Sequence, residues 1–90
     1  MNEQKLSIGQ IQMMQHAIGF DRSRIKKNKY IAYRNRYIAS EPNNDWEELV
    51  AIGYANKREY QEQSQIMYYV SEEGMKCLGM MLGCVIEEMD

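Results

Sequence analysis

Seven of the chain's eleven lysine and arginine residues lie between positions 22 and 36, and no acidic residue interrupts them. Tyrosines at positions 30, 33 and 37 lie among these cations. Ammonium and guanidinium groups bind phosphate, and aromatic rings stack on nucleobases, so this composition indicates a surface for nucleic acid. The candidate binding residues are Arg22, Arg24, Lys26, Lys27, Lys29, Tyr30, Tyr33, Arg34 and Arg36.

The same segment has a simpler interpretation as a solvated basic loop. All thirteen acidic residues of the chain lie outside it, and they outnumber the four remaining basic residues. The segment could therefore pair with acids of the same molecule or of a protein partner. The net charge of −2 also argues against indiscriminate binding of nucleic acid by the whole surface. The sequence leaves both interpretations open.

No group of residues in the sequence predicts catalysis or metal binding. His16 is the single histidine, and Gln12, Met13, Gln15 and Ala17 beside it supply neither a nucleophile nor a set of metal ligands. We therefore expect a protein that binds rather than an enzyme, with no cofactor, no metal and no evident small-molecule substrate. No apolar run reaches the roughly 18 residues of a membrane span. The N-terminus does not resemble a signal peptide, so a cytoplasmic location is expected.

The N-terminal part of the chain has a complete set of helix signals. Ser7 can cap a helix, and Gln10 three residues later completes a capping box. Apolar residues then recur at helical spacing, and Gly19 is placed to end the helix. These signals predict a helix from Ile8 to Ile18.

The middle of the chain predicts strands around a short helix. Tyr30 to Ala39 mixes aromatic and β-branched residues, which favours a strand. Asn44 can cap a helix over Asp45 to Ile52, which Gly53 would end. Two β-prone runs separated by a polar loop then predict a hairpin between Tyr54 and Val70.

The C-terminal part predicts one long helix from Glu72 to Glu88, capped by Ser71. Its apolar residues follow at spacings of three and four, and glycines four apart allow close approach of a second helix. One interpretation places this stripe in the core against the first helix. The other is a homodimer, for which the predicted contact residues are Gly79, Met80 and Gly83.

The segment from Trp46 to Gly74 resembles winged-helix domains. In these, a leucine-bearing helix ends in glycine, a hairpin wing follows, and an aromatic strand leads into a Ser-acid-acid-Gly helix start. The matching residues are Leu49, Gly53, Tyr68, Tyr69, Val70, Ser71, Glu72, Glu73 and Gly74. The length of 90 residues predicts a single domain over residues 1–90. With the elements predicted above, the resemblance implies a winged-helix-like α+β fold with three helices, a β-hairpin and a candidate third strand.

The whole chain also looks like small uncharacterised proteins of tailed phages and prophages. Like them it has a short first helix, a basic-aromatic stretch and an Asn-Asp-Trp-Glu-Glu-Leu-Val helix. This resemblance implies a phage or prophage accessory protein, and it brings no established function. We expect the protein to act by binding, with nucleic acid as the leading ligand because of the basic-aromatic segment. The alternative is a self-associating structural or adaptor protein that uses the C-terminal helix. A recognition-helix role does not transfer to Asp45 to Ile52, because its carboxylates would repel phosphates.

Overall fold

The computed structural model of the protein describes residues 6–89. Within this range the chain forms three α-helices and five strands in two sheets, which confirms the α+β class. Two short 3₁₀ turns, Arg22–Arg24 and Gln61–Gln63, lie between these elements. In chain order the elements are α1 (Ile8–Ile18), β1 (Lys29–Ala32), β2 (Tyr37–Ala39), α2 (Asn44–Ala51), β3 (Ala55–Tyr60), β4 (Gln65–Val70), α3 (Glu72–Leu82) and β5 (Val85–Glu88).

Helix α1 has the predicted bounds because its end signals are local. The Ser7 side chain accepts a hydrogen bond from the Gln10 backbone N–H at 3.0 Å, and the Gln10 side chain accepts one from the Ser7 N–H at 2.9 Å. At the other end Gly19 adopts a left-handed conformation, with φ 65°. The buried Gln10 amide also donates to Glu48 Oε1 at 2.9 Å, which ties α1 to α2. A single side chain thus caps one helix and holds it against another.

The predicted hairpin is confirmed, and a third strand joins it. Strands β3 and β4 pair along their whole length, from Ala55 opposite Val70 to Tyr60 opposite Gln65. Strand β2 pairs with the other edge of β4, which gives an antiparallel sheet in the order β2-β4-β3. The three residues of β2 extend the hairpin by pairing with the free edge of β4.

The strand expected over Tyr30 to Ala39 is confirmed only at its end, where β2 extends the hairpin. Its bounds are wrong, because two strands of different sheets share this segment. Strand β1 pairs in parallel with β5, whereas β2 pairs with β4. Between them, the Asn35 side chain donates to the Val70 carbonyl at 2.9 Å and accepts from the Val70 N–H at 2.8 Å. The Arg36 N–H donates to the Ala17 carbonyl at 3.0 Å. These bonds redirect the backbone from one sheet to the other.

The long C-terminal helix is also wrong in its second half. Helix α3 ends at Leu82, and Gly83 terminates it in a left-handed conformation with φ 77°. The following N–H, that of Cys84, donates back to the Gly79 carbonyl at 2.9 Å. The chain then continues as β5, where Val85 lies opposite Lys29 and Glu88 opposite Ala32. Backbone pairing with β1 therefore competes successfully with the helical pattern of apolar residues.

The core lies between the helices and the three-stranded sheet and centres on aromatic residues. Trp46 of α2 stacks on Tyr68 of β4, with ring centroids 5.5 Å apart and an interplanar angle of 15°. Tyr30 of β1 is equally buried, and its ring centroid lies 4.9 Å from that of Phe20. The described part of the chain has three α-helices, α1 to α3. None of them is long and apolar enough to cross a membrane.

Candidate nucleic-acid interface

The first part of the basic segment folds into a tight turn that presents lysines. Lys26 and Lys29 exchange backbone hydrogen bonds of 2.9 and 3.0 Å. Lys27 and Asn28 form the turn between them, with φ angles of 53° and 64°. Positive φ at both central residues is the geometry of a type I′ turn. All three lysine side chains are exposed.

Tyr33 follows β1 and lies between two arginines in a group that we call the Tyr33 cluster, made of Arg24, Tyr33 and Arg34. The guanidinium carbons of Arg24 and Arg34 lie 5.5 and 5.6 Å from the centroid of the tyrosine ring. Such distances are favourable for cation–π attraction. The Tyr33 side chain remains 48% exposed. A cationic and aromatic group therefore reaches solvent at one place.

The end of α1 fixes the position of the Tyr33 cluster. A Cβ atom on Gly19 would lie 2.6 Å from the Tyr33 hydroxyl oxygen, so the bare glycine leaves room for the ring. Arg34 Nη2 donates to the His16 carbonyl at 2.7 Å. Carbonyls in the last turn of a helix lack intrahelical partners and carry its partial negative charge, which suits a guanidinium. Arg34 is therefore an anchor of the fold as well as a surface cation.

Arg22 occupies a comparable position at the end of α3. Its Nη1 donates to the Leu82 carbonyl at 3.4 Å, and its guanidinium carbon lies 5.7 Å from the Phe20 ring centroid. Phe20 is not among the binding residues predicted from the sequence. Its position directly after the Gly19 cap and two residues before Arg22 was the sequence feature that could have indicated a role beside the basic segment.

Few acids of the same molecule neutralise this surface. Lys29 pairs with Glu87 at 3.4 Å, and among residues 6–89 no other cation of the basic segment has a carboxylate within ion-pair distance. The adjacent Asp21 carboxylate accepts hydrogen bonds from the Ser23 N–H at 3.0 Å and the Ser23 hydroxyl at 2.7 Å. These two bonds, with a smaller contribution from Arg24, lower the pKa of Asp21. Asp21 thus caps the 3₁₀ turn rather than pairing with an arginine.

Two shallow depressions flank the Tyr33 cluster. One, of about 640 Å³, contains Phe20, Tyr33, Arg22 and Arg34 along the end of α1. The other, of about 440 Å³, is lined by Ser23, Arg24, Lys26, Lys29 and Ile31. Each depression therefore combines cations with an apolar side chain.

The structure brings most of the predicted binding residues together, with two exceptions. Tyr30 is fully buried, and its hydroxyl donates to the Gly19 carbonyl. Burial raises the pKa of Tyr30, and its ring face is not available to a base. The prediction of Tyr30 as a stacking residue is therefore wrong, because alternation along β1 turns Tyr30 and Ala32 inward. Arg36 is exposed, but it lies outside both depressions and outside the Lys26–Lys29 turn.

The residues predicted for a dimer contact fall into three different environments. Gly79 is buried, and a Cβ there would lie 2.6 Å from the Cys84 carbonyl oxygen of the same chain. A glycine is needed at position 79 because the segment that leads into β5 passes close to the α3 backbone there. Gly83 is exposed and explained by its left-handed conformation at the end of α3. Met80 is 84% exposed and remains available to a partner.

The part of the chain that the structure describes contains no cluster of three or more histidine, cysteine or carboxylate side chains that could hold a metal ion. The chemistry available at the basic surface is therefore that of cations, aromatic rings and amides. Comparisons of the chain with protein-family models, with curated proteins and with solved structures give no significant match.

Proposed function

We propose that this protein binds nucleic acid through the exposed face of its basic segment and has no catalytic role. The observation that supports the proposal is that, among residues 6–89, only one cation of the basic segment pairs with a carboxylate. A solvated loop paired with the acids of its own molecule would show ion pairs across the segment, and only the Lys29–Glu87 pair is seen within residues 6–89. Unpaired cations attract a polyanion, because each phosphate they neutralise releases condensed counterions.

The proposal predicts a steep dependence of binding on salt. With four to seven phosphate contacts, the slope of log K against log salt is expected to be about −3 to −6. Replacing Lys26 and Lys27 together with glutamine should bring this slope about one to two units closer to zero and weaken binding to all sequences alike. Arg34 is left in place because it caps α1. Fluorescence anisotropy of labelled DNA and RNA over a range of salt concentrations measures the effect.

The matched control replaces Arg58 and Lys76 with glutamine. Both residues are exposed cations outside the basic segment, on β3 and α3. This variant should keep the native slope. Absence of salt-dependent binding by the native protein to single- or double-stranded DNA or RNA at low ionic strength would show that the proposal is wrong.

We further propose a winged-helix relationship for the part of the fold from β2 to α3. The supporting observation is the strand order β2-β4-β3, with a helix between β2 and β3, which suits a wing hairpin completed by an earlier strand. Its α2 helix carries Asp45, Glu47 and Glu48, so the nucleic-acid surface proposed here is the basic segment and not this helix. A role as an accessory protein of a phage or prophage is supported by the sequence resemblance alone.

The second candidate function is self-association through α3 and β5. Met80, Met81 and Val85 are exposed apolar side chains at neighbouring positions of these elements. Met80 and Val85 line a mainly apolar depression of about 300 Å³ that also includes Met75, Gly79 and Ile86. Flexible methionines suit adaptable protein interfaces, and contiguous apolar surface favours association.

This candidate predicts a homodimer at micromolar concentration that Met80→Glu disrupts. A carboxylate at this position would have to lose its water on association, and that cost opposes the contact. Light scattering over about 1–100 µM should give the mass of two chains for the native protein and of one chain for the variant. Ile8→Glu is the matched control, because Ile8 is 76% exposed on α1 and should not affect association. A native mass of one chain throughout this range would exclude self-association.

A further inference from the structure

We infer that the nucleic acid is single-stranded and that one of its bases stacks on the Tyr33 cluster while neighbouring phosphates contact Arg24, Arg22 and the Lys26–Lys29 turn. The inference rests on the proposed function and specifies the ligand of the same surface. It follows from three features of that surface: the mixture of apolar and cationic groups, the shape of the elements that carry them, and the way Tyr33 is held.

The apolar groups lie among the cations rather than beneath them. Tyr33 is about half exposed, and Ile31 is 39% exposed on the outward face of β1. Phe20 and Tyr33 line one depression and Ile31 the other, each beside at least two cations. A surface that met phosphates alone would gain nothing from exposed apolar side chains. Bases whose faces are exposed do gain from them, because each base has a π-face that stacks on aromatic rings and guanidinium planes.

The elements that carry the cations do not suit a duplex. A duplex keeps its base faces inside the stack and is read by a helix or a two-stranded ribbon placed in a groove. Here the cations belong to a 3₁₀ turn, to a tight turn closed by a single Lys26–Lys29 bridge and to the outward face of a short strand. Helix α2, which precedes the hairpin, starts with acidic residues and does not suit a groove. The surface can follow a flexible strand, whose backbone bends to meet it.

Tyr33 is positioned before any ligand arrives. Its hydroxyl end lies against Gly19, and the guanidinium groups of Arg24 and Arg34 lie against its ring. Arg34 is in turn fixed by its hydrogen bond to the His16 carbonyl. A side chain that is already held loses little conformational entropy on binding, so the stacking free energy is available for affinity. Tyr33 and Arg34 line one depression, and Arg24 lines the other.

The first measurement uses the native protein and three labelled probes of equal length. They are a thymidine strand of about 15 nucleotides, within the site sizes of single-strand-binding folds, an abasic strand with the same phosphates, and a duplex. Stacking predicts that the thymidine strand binds about 5- to 150-fold more tightly than the abasic strand. The salt slopes of these two strands should be equal, because their phosphates are the same. The duplex should bind more weakly than the thymidine strand.

The second measurement tests the assigned residue. Tyr33→Ala should remove most of the preference for the thymidine strand over the abasic strand and leave the salt slope near the native value, because no charge is lost. Tyr33→Phe should keep the preference, since the ring remains. Tyr60→Ala is the matched control, because this tyrosine lies at the end of β3 in the other sheet and should have no effect.

Each outcome decides between the proposals. Equal, salt-dependent binding of the thymidine and abasic strands by the native protein overturns the stacking inference and leaves the proposed function standing. Duplex binding as tight as that of the thymidine strand overturns the single-strand assignment. An equal loss on both strands in Tyr33→Ala shows that the ring only supports Arg24 and Arg34. No binding to any probe removes the proposed function and the inference together. If Tyr33→Ala does not fold, the native comparison with the abasic strand decides the result.

Discussion

Gly79→Ala is expected to lower the free energy of unfolding by about 1–3 kcal/mol, the usual cost of adding a methyl group where no space exists. The new Cβ would lie 2.6 Å from the Cys84 carbonyl oxygen and 3.6 Å from the Ile86 N atom. Both atoms belong to backbone, which cannot rotate away as a flexible side chain can. Relief of the clash therefore requires the segment that leads into β5 to move away from α3. Urea denaturation followed by circular dichroism measures the change.

Gly9→Ala is the control that separates this clash from a general effect of glycine in helices. Gly9 lies in the first turn of α1, and a Cβ there would come no closer than 3.8 Å to the atoms around it. This variant should gain up to about 1 kcal/mol, because alanine has the better helix propensity. A gain of the same size in Gly79→Ala would contradict the packing described for α3 and β5.

Tyr68→Phe is expected to lower the free energy of unfolding by about 1.5–3 kcal/mol near neutral pH, the range for a hydrogen bond to a charged group. The buried Tyr68 hydroxyl donates to Glu47 Oε2 at 2.6 Å and accepts from the Asn43 N–H at 3.1 Å. Phenylalanine keeps the ring that stacks on Trp46, and it removes both hydrogen bonds. Thermal or urea unfolding at pH 7 measures this loss.

The same contact gives the stability a dependence on pH at the acid end. The hydrogen bond from Tyr68, followed by that from Lys57, lowers the pKa of Glu47 in the folded protein below its ordinary value of 4.5. The unfolded chain therefore binds a proton first as the pH falls. The stabilisation is fully present above about pH 4.5 and is lost as the pH falls through the lower folded pKa. In Tyr68→Phe this part of the acid dependence should become smaller.

Lys57→Gln is the matched comparison for this prediction. Lys57 Nζ lies 3.0 Å from Glu47 Oε1. It contributes less than Tyr68 to the lowered pKa of Glu47, and it is more exposed to solvent than Tyr68. Its replacement should change the acid dependence less than Tyr68→Phe does. A native protein and a Tyr68→Phe variant with identical stability from pH 3 to pH 7 would show that the Tyr68–Glu47 bond makes no contribution.

Elements with complete local signals could be predicted from the sequence. The Ser7–Gln10 capping box and Gly19 fix both ends of α1 without reference to the rest of the chain. The hairpin was equally accessible, because β3 and β4 are adjacent in sequence and joined by a short polar segment. In both cases the residues that decide the structure are close neighbours in the chain.

Elements that depend on distant partners were predicted incorrectly. The spacing of Met81, Leu82, Val85 and Ile86 continues the helical pattern of α3, yet the last two belong to a strand. Their β-branched side chains and the preceding Gly83 favoured a change of structure. The partner that stabilises β5 is β1, far away in sequence, and single-chain periodicity carries no information about it.

The candidate site was predictable in its charges but not in its aromatic residues. Clustered lysines and arginines on a turn-rich segment are exposed for electrostatic reasons wherever the chain runs. Tyr30 and Tyr33 look alike in sequence, but β1 turns Tyr30 into the core, and Tyr33 follows the end of the strand. Only the register of β1 decides which tyrosine can meet a ligand.

The lysine at the tip of the basic turn lies in a backbone conformation that costs folding free energy. Lys27 adopts φ 53°, a conformation that glycine and asparagine enter more easily than residues with a long side chain. Glycine at this position would make the turn easier to form, at the loss of one cation. Proteins commonly keep locally unfavourable residues where activity requires them, and their stability stays below the attainable maximum as a result. If the turn binds phosphate as proposed, Lys27 is a position where the chain keeps a cation for its ligand at some cost to its own folding.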